Sequence, residues 1–370
     1  MIKVLNIISD TNIGGAGRYL LNFLKYYDRS KYEIKVVLPE NSQLKPEVEK
    51  LNTPVIEVPG MGDQSFSMEA VKALKRVIRA EQPDIVHTHG AMSGRIAAKG
   101  TGAKIIYTRH CAFPVPDRIK KNPGRWVNKT MNEFFADHII AVSPAAEENL
   151  TDGGISKDMI TTMMNGVTPV PRTSPEAQAA MRAQCGVQDG EFVLGILARI
   201  EEYKGHLDIL DAMKILKDEG RSVRLLVAGS GSFEEETRAH CHELGLDDCV
   251  SFLGFVTDVG GLLSILDLQL NASFGTETSS LSILEGMSMG LPAVISDYGG
   301  NPWLIDDGED GYLFPTRDSA AMARCIGKLM DEPDTLKTMQ CRATEIYHQR
   351  FTGEIFARNI EAVYDKVLED

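Results

Sequence analysis

The residues best placed to do chemistry lie between Phe274 and Val294. Two acids, Glu277 and Glu285, are separated there by seven residues, with small polar residues after the first and an apolar helical face leading to the second. Carboxylates accept hydrogen bonds from sugar and ribose hydroxyls. With Glu277 in a loop and Glu285 on the helix that follows, both are expected to point into one cleft. The backbone amides of Ser279, Ser280 and Leu281 then lie at the helix start, where unpaired N–H groups and the helix dipole favour phosphate oxygens. A capped helix carrying one exposed acid is the plainer alternative.

Positive charge comes from Arg199 and Lys204, either side of the turn after the apolar run Phe192–Ile200. Arg offers a bidentate fork and Lys a point charge, a pair suited to a diphosphate. Gly229, in Val227-Ala-Gly-Ser-Gly231, gives a small-residue turn that a ligand could approach closely. Gly254-Phe-Val256-Thr-Asp258 could flank a planar base. Near the N-terminus, Gly14 and Gly15 open a turn after Ile2–Ser9 whose amides suit an anion. That turn matches neither G-x-G-x-x-G nor G-x-x-x-x-G-K-[ST].

Short aliphatic runs must position these turns. In the first half they are 2–9, 32–39, 54–59, 84–89, 104–109, 138–143 and a weaker 159–164. In the second half they are 192–200, 223–229, 250–255, 266–272, 292–296 and 311–314. They are near-continuous rather than alternating, as in strands covered on both faces. Helical patterns between them (17–27, 68–81, 206–219, 319–330, 335–350) complete a βαβα order run through twice, predicting two doubly wound parallel sheets. Open parallel sheets bind ligands beyond the carboxyl ends of their strands, where the unusual residues fall.

A chain of 370 residues suits two domains, and the Gly/Pro/Thr/Ser-rich stretch 165–175 is the natural boundary. The expected division is 1–165 plus 352–370, and 166–351, with the apolar stripe after Phe351 returning to the first domain. The six cysteines are scattered without a CxxC pair, which points to reduced thiols rather than a zinc cluster. The longest uncharged stretch, Met159–Pro171, is 13 residues and contains two prolines, too short for a membrane span. No secretory signal is expected, and the expected location is cytoplasmic. Net charge is −13, divided as +4 over residues 1–165 and −17 over the rest, which argues against nucleic-acid binding.

The Glu277-x7-Glu285 pair, Gly290-x-Pro292, Arg199/Lys204 and the Gly14-Gly15 turn together resemble the retaining glycosyltransferase family 4 of GT-B fold. The resemblance covers nearly the whole chain and is most specific in the C-terminal half. Ser296-Asp-Tyr-Gly-Gly-Asn-Pro is similar to members that build cell-surface glycans. Where many members have Gly and Pro after the first Glu, this chain has Thr278 and Ser280, which bears on sugar specificity. The resemblance implies two Rossmann-like domains facing across a cleft, with Arg199 and Lys204 on the donor diphosphate, Glu285 on the ribose and Glu277 on the transferred sugar. Thr108-Arg-His110 is similar to the family's Thr-x-His element, whose His lies near that sugar.

The implied reaction moves a hexosyl or N-acetylhexosaminyl group from a nucleotide diphosphate sugar, uracil being the base family frequency favours, to an acceptor hydroxyl with retention. No metal is expected, because the cations already serve the diphosphate. Two other readings stay open on sequence: a sugar-nucleotide epimerase of the same fold, and a non-catalytic binding subunit. Residues 95–129 hold nine Lys/Arg (Arg95, Lys99, Lys104, Arg109, Arg118, Lys120, Lys121, Arg125, Lys129) against one acid, Asp117, with Phe113 and Trp126 among them. Such a segment is expected to touch an anionic membrane or to be a solvated basic face.

Overall fold

Parallel strands buried on both faces need apolar side chains at successive positions, and the short aliphatic runs supply them. The computed structural model describes residues 1–369. In the first half the runs form β1 Ile2–Ile8, β2 Tyr32–Pro39, β3 Val55–Val58, β4 Ile85–His89, β5 Lys104–Arg109, β6 His138–Ala141 and β7 Ile160–Thr162. The second half forms β8 Phe192–Leu197, β9 Val223–Ala228, β10 Val250–Gly254, β11 Leu268–Asn271, β12 Ala293–Ser296 and β13 Gly311–Phe314.

The strands assemble into a seven-stranded sheet, order β3-β2-β1-β4-β5-β6-β7, and a six-stranded sheet, order β10-β9-β8-β11-β12-β13. Every strand pairing is parallel. Both orders reverse direction once, between β1 and β4 and between β8 and β11. These reversals are the switch points where a doubly wound sheet leaves a crevice. The architecture is two Rossmann-like α/β domains.

Alternation explains the sheet's two-sided burial. On β1, Val4 and Ile8 enter one core cluster with Ile34, Val36 and Ile106. Leu5 and Ile7 enter the opposite one with Val37, Val86 and Ile105. Leu194 and Ile196 on β8 face one core of the second sheet, and Val193 faces another. Strand β8 ends three residues before the apolar run does; beyond it the Ala198 amide donates to the Ala228 carbonyl at the end of β9 (3.1 Å) and the Ile200 amide to the Ser230 carbonyl in the turn that follows (3.1 Å).

The chain divides into two compact units, Met1–Val167 with the final helix Gly353–Glu369, and Thr168–Thr352. That final helix has a stripe at Phe356, Ala357, Ile360, Val363, Tyr364 and Val367, the period of one helix face. All six are buried in the same cluster as Tyr19, Leu20 and Phe23 of the helix Gly15–Tyr26. Its polar edge is fastened too, since Glu361 accepts from the Asp28 amide (2.6 Å) and Asp365 from the Tyr32 hydroxyl (2.7 Å). No helix among the described residues is long and apolar enough to cross a membrane.

Each large apolar side chain buried by this helix is worth about 1.5–3 kcal/mol. A chain ending at Thr352 is therefore expected to lose the cooperative unfolding transition of the first unit while keeping that of the second. Differential scanning calorimetry of the shortened chain checks this; two intact transitions would contradict it.

Candidate active site

In the second unit the site is assembled at the β8/β11 switch point. Strand β11 ends on Asn271, and Ser273 and Glu277 follow in the loop. The turn after β8 carries Arg199 and a short helical turn, Glu202–Lys204. A backbone bond from the Phe274 amide to the Tyr203 carbonyl (2.9 Å) ties the two loops together. Lys204 and Glu277, 73 residues apart in sequence, meet as an ion pair with Nζ 2.8 Å from Oε2. The same carboxylate oxygen accepts from Asn271 Nδ2 (3.1 Å) and Ser273 Oγ (3.1 Å).

Glu277 is only 7% exposed. Burial alone pushes its pKa up. The Lys204 charge, with hydrogen bonds from Lys204, Asn271 and Ser273, outweighs burial and holds the carboxyl below its ordinary value. A buried carboxylate kept ionised in this way is a fixed acceptor for ligand hydroxyls. Arg199 is exposed in the same turn as Lys204, its Nη2 donating to the Tyr203 hydroxyl at 3.1 Å.

The loop after β12 supports Glu277 from behind. The Gly300 amide donates to the Glu277 carbonyl (2.9 Å), Tyr298 Oη to the Gly275 carbonyl (2.7 Å) and Ser296 Oγ to the Ser273 carbonyl (2.7 Å). A Cβ at Gly300 would lie 1.6 Å from the Thr278 carbonyl oxygen, so only glycine allows this approach. Ser279 and Thr278 are buried. Ser280 caps the helix Leu281–Met287, of which Leu281 is the first residue, and Glu285 lies half-buried on its third-last position.

At Gly229 the Cβ side is filled by the protein itself, since a Cβ there would sit 1.9 Å from the Ala198 carbonyl oxygen, and its φ of +142° is one that only glycine adopts readily. Its role is to let the β9 turn pack against the β8 turn, and its amide reaches the Gly254 carbonyl at 2.7 Å. Val256 is half-buried in the turn beyond β10.

In the first unit, Gly14 caps the helix Gly15–Tyr26. A Cβ on Gly15 would meet no atom within 4 Å, so that turn keeps open space in front of it. His110 follows β5 and stacks on His89, the last residue of β4 (5.3 Å between ring centres, 29°), with Tyr19 edge-on at 4.8 Å. Burial, then the Arg109 charge, push the His110 pKa down to about 3, so the ring is neutral. Thr108 is buried, hydrogen-bonded to His87 Nε2 at 2.6 Å.

The basic segment is not one surface. Arg95 is 4% exposed, lies on the Tyr107 ring (4.2 Å) and donates to Asn132 (3.0 Å). Arg109 reaches Asn149 Oδ1 at 2.8 Å. These two serve the interior because Tyr107 and the amides give their guanidinium groups partners. Arg118, Lys120, Lys121 and Arg125 are exposed. With them, the helix Gly124–Phe134 buries none of its side chains and exposes Trp126 (64%), Val127, Met131 and Phe134 (55%).

Composition could not reveal Asn271, Ser273, Tyr203, His89 or Asn6 as site residues. The available signal was position: Asn271 and His89 are polar residues at the ends of buried strands, and Asn6 is a polar residue within one.

The fold is two Rossmann-like α/β domains, each with polar residues gathered at its switch point. The description "Glycosyltransferase Family 4" matches residues 13–170, and "Glycosyl transferases group 1" matches residues 191–332. The chain belongs to this glycosyltransferase family and is a transferase enzyme. It is 27% identical over 339 residues to the protein designated glycosyltransferase EpsD of Bacillus subtilis (strain 168), covering 86% of this chain and 85% of that one. It is 26% identical to the D-inositol 3-phosphate glycosyltransferase of Kribbella flavida, covering 90% and 84%. Among solved structures, Anabaena Alr3699/HepE in complex with UDP-glucose has a TM-score of 0.83 at 23% identity over 99% of this chain and 100% of that one.

Removing one partner of a buried ion pair leaves the other charge uncompensated, at about 3–5 kcal/mol. Lys204→Met is expected to destabilise the second unit by that amount, and adding Glu277→Gln to recover part of it. Because the Glu277 pKa is depressed on folding, its contribution is full above the ordinary carboxylate pKa and is lost as pH falls through the lower folded value. Urea unfolding of the two variants at neutral and acidic pH tests both; a Lys204→Met cost that is small and independent of pH would contradict the account.

Proposed function

We propose that this enzyme transfers a hexosyl or N-acetylhexosaminyl group from a UDP-sugar to an acceptor hydroxyl, with retention, in the synthesis of a cell-surface glycan or glycolipid. The observation that carries the reading is the Lys204–Glu277 pair, 2.8 Å apart and largely buried, with Arg199 in the same turn as Lys204. It sets a fixed cation next to a fixed hydroxyl acceptor, the two demands of an activated sugar. The UDP and UDP-glucose complexes of Anabaena Alr3699/HepE support a uridine diphosphate donor.

The chemical difficulty is charge separation, because an oxocarbenium-like sugar must part from a diphosphate. Lys204, Arg199 and the amides of Ser280 and Leu281 stabilise the departing negative charge, and preorganised groups of this kind are usually the largest catalytic term. Glu277 holds hydroxyls of the transferred sugar and Glu285 the ribose. His110 hydrogen-bonds a sugar hydroxyl. The acceptor oxygen bonds to the anomeric carbon on the face the diphosphate leaves, the carbon–oxygen bond to phosphate breaks, and the acceptor proton passes to the leaving phosphate oxygen. This route needs no protein nucleophile, and the cations take the task a metal would have on the diphosphate.

The exposed face of helix Gly124–Phe134 supports contact with anionic lipid. Trp126, Val127, Met131 and Phe134 share one side at 3.6 residues per turn. The neighbouring exposed basic residues add roughly 1 kcal/mol each near a charged surface. A membrane-proximal acceptor fits this arrangement.

Arg199→Ala is expected to lose about a hundredfold or more in turnover, the ~2.7–4 kcal/mol of one transition-state donor. Wild-type turnover should persist in chelator. A thermal-shift panel of UDP-, GDP- and ADP-sugars should single out the UDP donors, with about 2.7 kcal/mol of added stability at 100 times the dissociation constant. Stabilisation by another base alone, or a fully active Arg199→Ala, would defeat the assignment. For the lipid contact, co-sedimentation with phosphatidylglycerol vesicles is expected at low salt. It should weaken at high salt and with Trp126→Ser/Phe134→Ser; no binding at low salt removes the proposal.

A further inference from the structure

Strand β11 is buried on both faces, and successive side chains alternate between them. Leu268 and Leu270 enter the apolar core of the second unit. Gln269 and Asn271 take the opposite face, and both are polar and buried, Gln269 with 1% exposed. Asn271 Nδ2 holds Glu277 Oε2 at 3.1 Å. Two residues earlier on that face, Gln269 Nε2 donates to the Ser282 carbonyl at 3.0 Å. Ser282 belongs to the helix Leu281–Met287, which also carries Glu285. A carbonyl oxygen only accepts, so the donor side of the Gln269 amide is the side that faces it.

A glycine makes the space for that amide. A Cβ on Gly286 would lie 2.1 Å from Gln269 Oε1, 2.3 Å from Cδ and 2.6 Å from Nε2. Ser282 and Gly286 are four residues apart, so they share one helix face, and the amide lies along it. Neither residue is an ordinary choice for its place. Glycine is a poor helix former, and the buried amide gives up its water for a bond at Nε2 alone, since Oε1 has no hydrogen-bond partner. An apolar side chain opposite an alanine would fill the space without either cost. What the matched pair adds is a fixed distance. The amide stops the helix from settling closer to β11, and the Nε2 bond keeps it from drifting away. Gly286 directly follows Glu285, so this distance sets where the second acid stands. The next turn is fastened too, Ser288 Oγ donating to the Glu285 carbonyl (2.5 Å) and accepting from the Val170 amide (3.0 Å).

We propose that Gln269 is a positioning residue: with Gly286 it fixes the depth of the helix Leu281–Met287 over β11, and so the place of Glu285 against the ribose of the donor. The ribose clause rests on the function proposed above; the fit of Gln269 to Gly286 does not. One strand face then serves both acids, Asn271 by bonding Glu277 directly and Gln269 through the helix backbone. Hydrogen bonds weaken steeply as distance and angle depart from their optimum, so a small outward shift of the helix is read directly in nucleotide affinity.

Calorimetric titration of the full chain with UDP, alongside donor kinetics, tests this. Gly286→Ala sets a methyl against the amide and should weaken UDP binding about tenfold, the size of one hydrogen bond to a charged group. Donor KM should rise in step while kcat at saturating donor is unchanged, the mark of lost ground-state binding. Gln269→Ala/Gly286→Ala removes the group that the methyl meets and should bind UDP more tightly than Gly286→Ala alone. Gln269→Met keeps length and bulk without the N–H; it should fold as the wild type does and still weaken UDP binding severalfold. If Gly286→Ala does not fold, Gln269→Met decides. Unchanged UDP affinity in Gln269→Met or in folded Gly286→Ala, with only the melting temperature lowered, makes the pair a packing feature and overturns the role. A double variant that binds no better than Gly286→Ala overturns it as well. Wild-type binding of GDP or ADP in place of UDP, with the variants shifting that affinity in the same order, removes the uridine reading and leaves the positioning role standing. A wild-type chain that binds none of the three removes both.

Discussion

A charged carboxylate buried in protein must be answered by charge and hydrogen bonds, and at Glu277 the answer comes from three directions. Lys204 arrives from the β8 turn, Asn271 from the end of β11 and Ser273 from the loop itself. Desolvating both members of a pair costs several kcal/mol per ion, which is recovered only where geometry is good and further donors fill the lone pairs. The surrounding loops can be read as meeting that condition. The Tyr203–Phe274 bond fixes one side, and the contacts of Ser296, Tyr298 and Gly300 fix the other.

The two domains solve one topological problem with opposite electrostatics. The sheets share the order of their first six strands and reverse at the same place, the first sheet adding a seventh strand at its edge. At the second reversal the chain sets an ion pair; at the first it sets neutral imidazoles among aromatic rings. Neutral rings suit the first position because burial there disfavours an extra positive charge, and His87 and His110 are both driven to a pKa of about 3. The final helix, entering this domain after the whole second domain, contributes Tyr364 directly to that network.

Much of the fold was legible because parallel strands buried on both faces leave an unambiguous apolar signature. All thirteen runs became strands, with ends displaced by a few residues. Charge counting was less reliable. Arg95 and Arg109 count as basic surface in any composition, yet each has interior partners in Tyr107, Asn132 or Asn149. Gly229 was likewise visible as a residue needing close approach, but the approaching atom is the protein's own Ala198 carbonyl.

Sequence alone determined the two parallel sheets, the placing of unusual residues in turns after strands, and the family to which these motifs belong. Those depend on local pattern: period, run length and residue type. Tertiary structure alone decided which polar side chains answer one another. Lys204 finds Glu277 across 73 residues, and His89 finds Asn6 across 83. Such pairings follow from strand order and from loops closing at a switch point, and no feature near either residue in the chain encodes its partner.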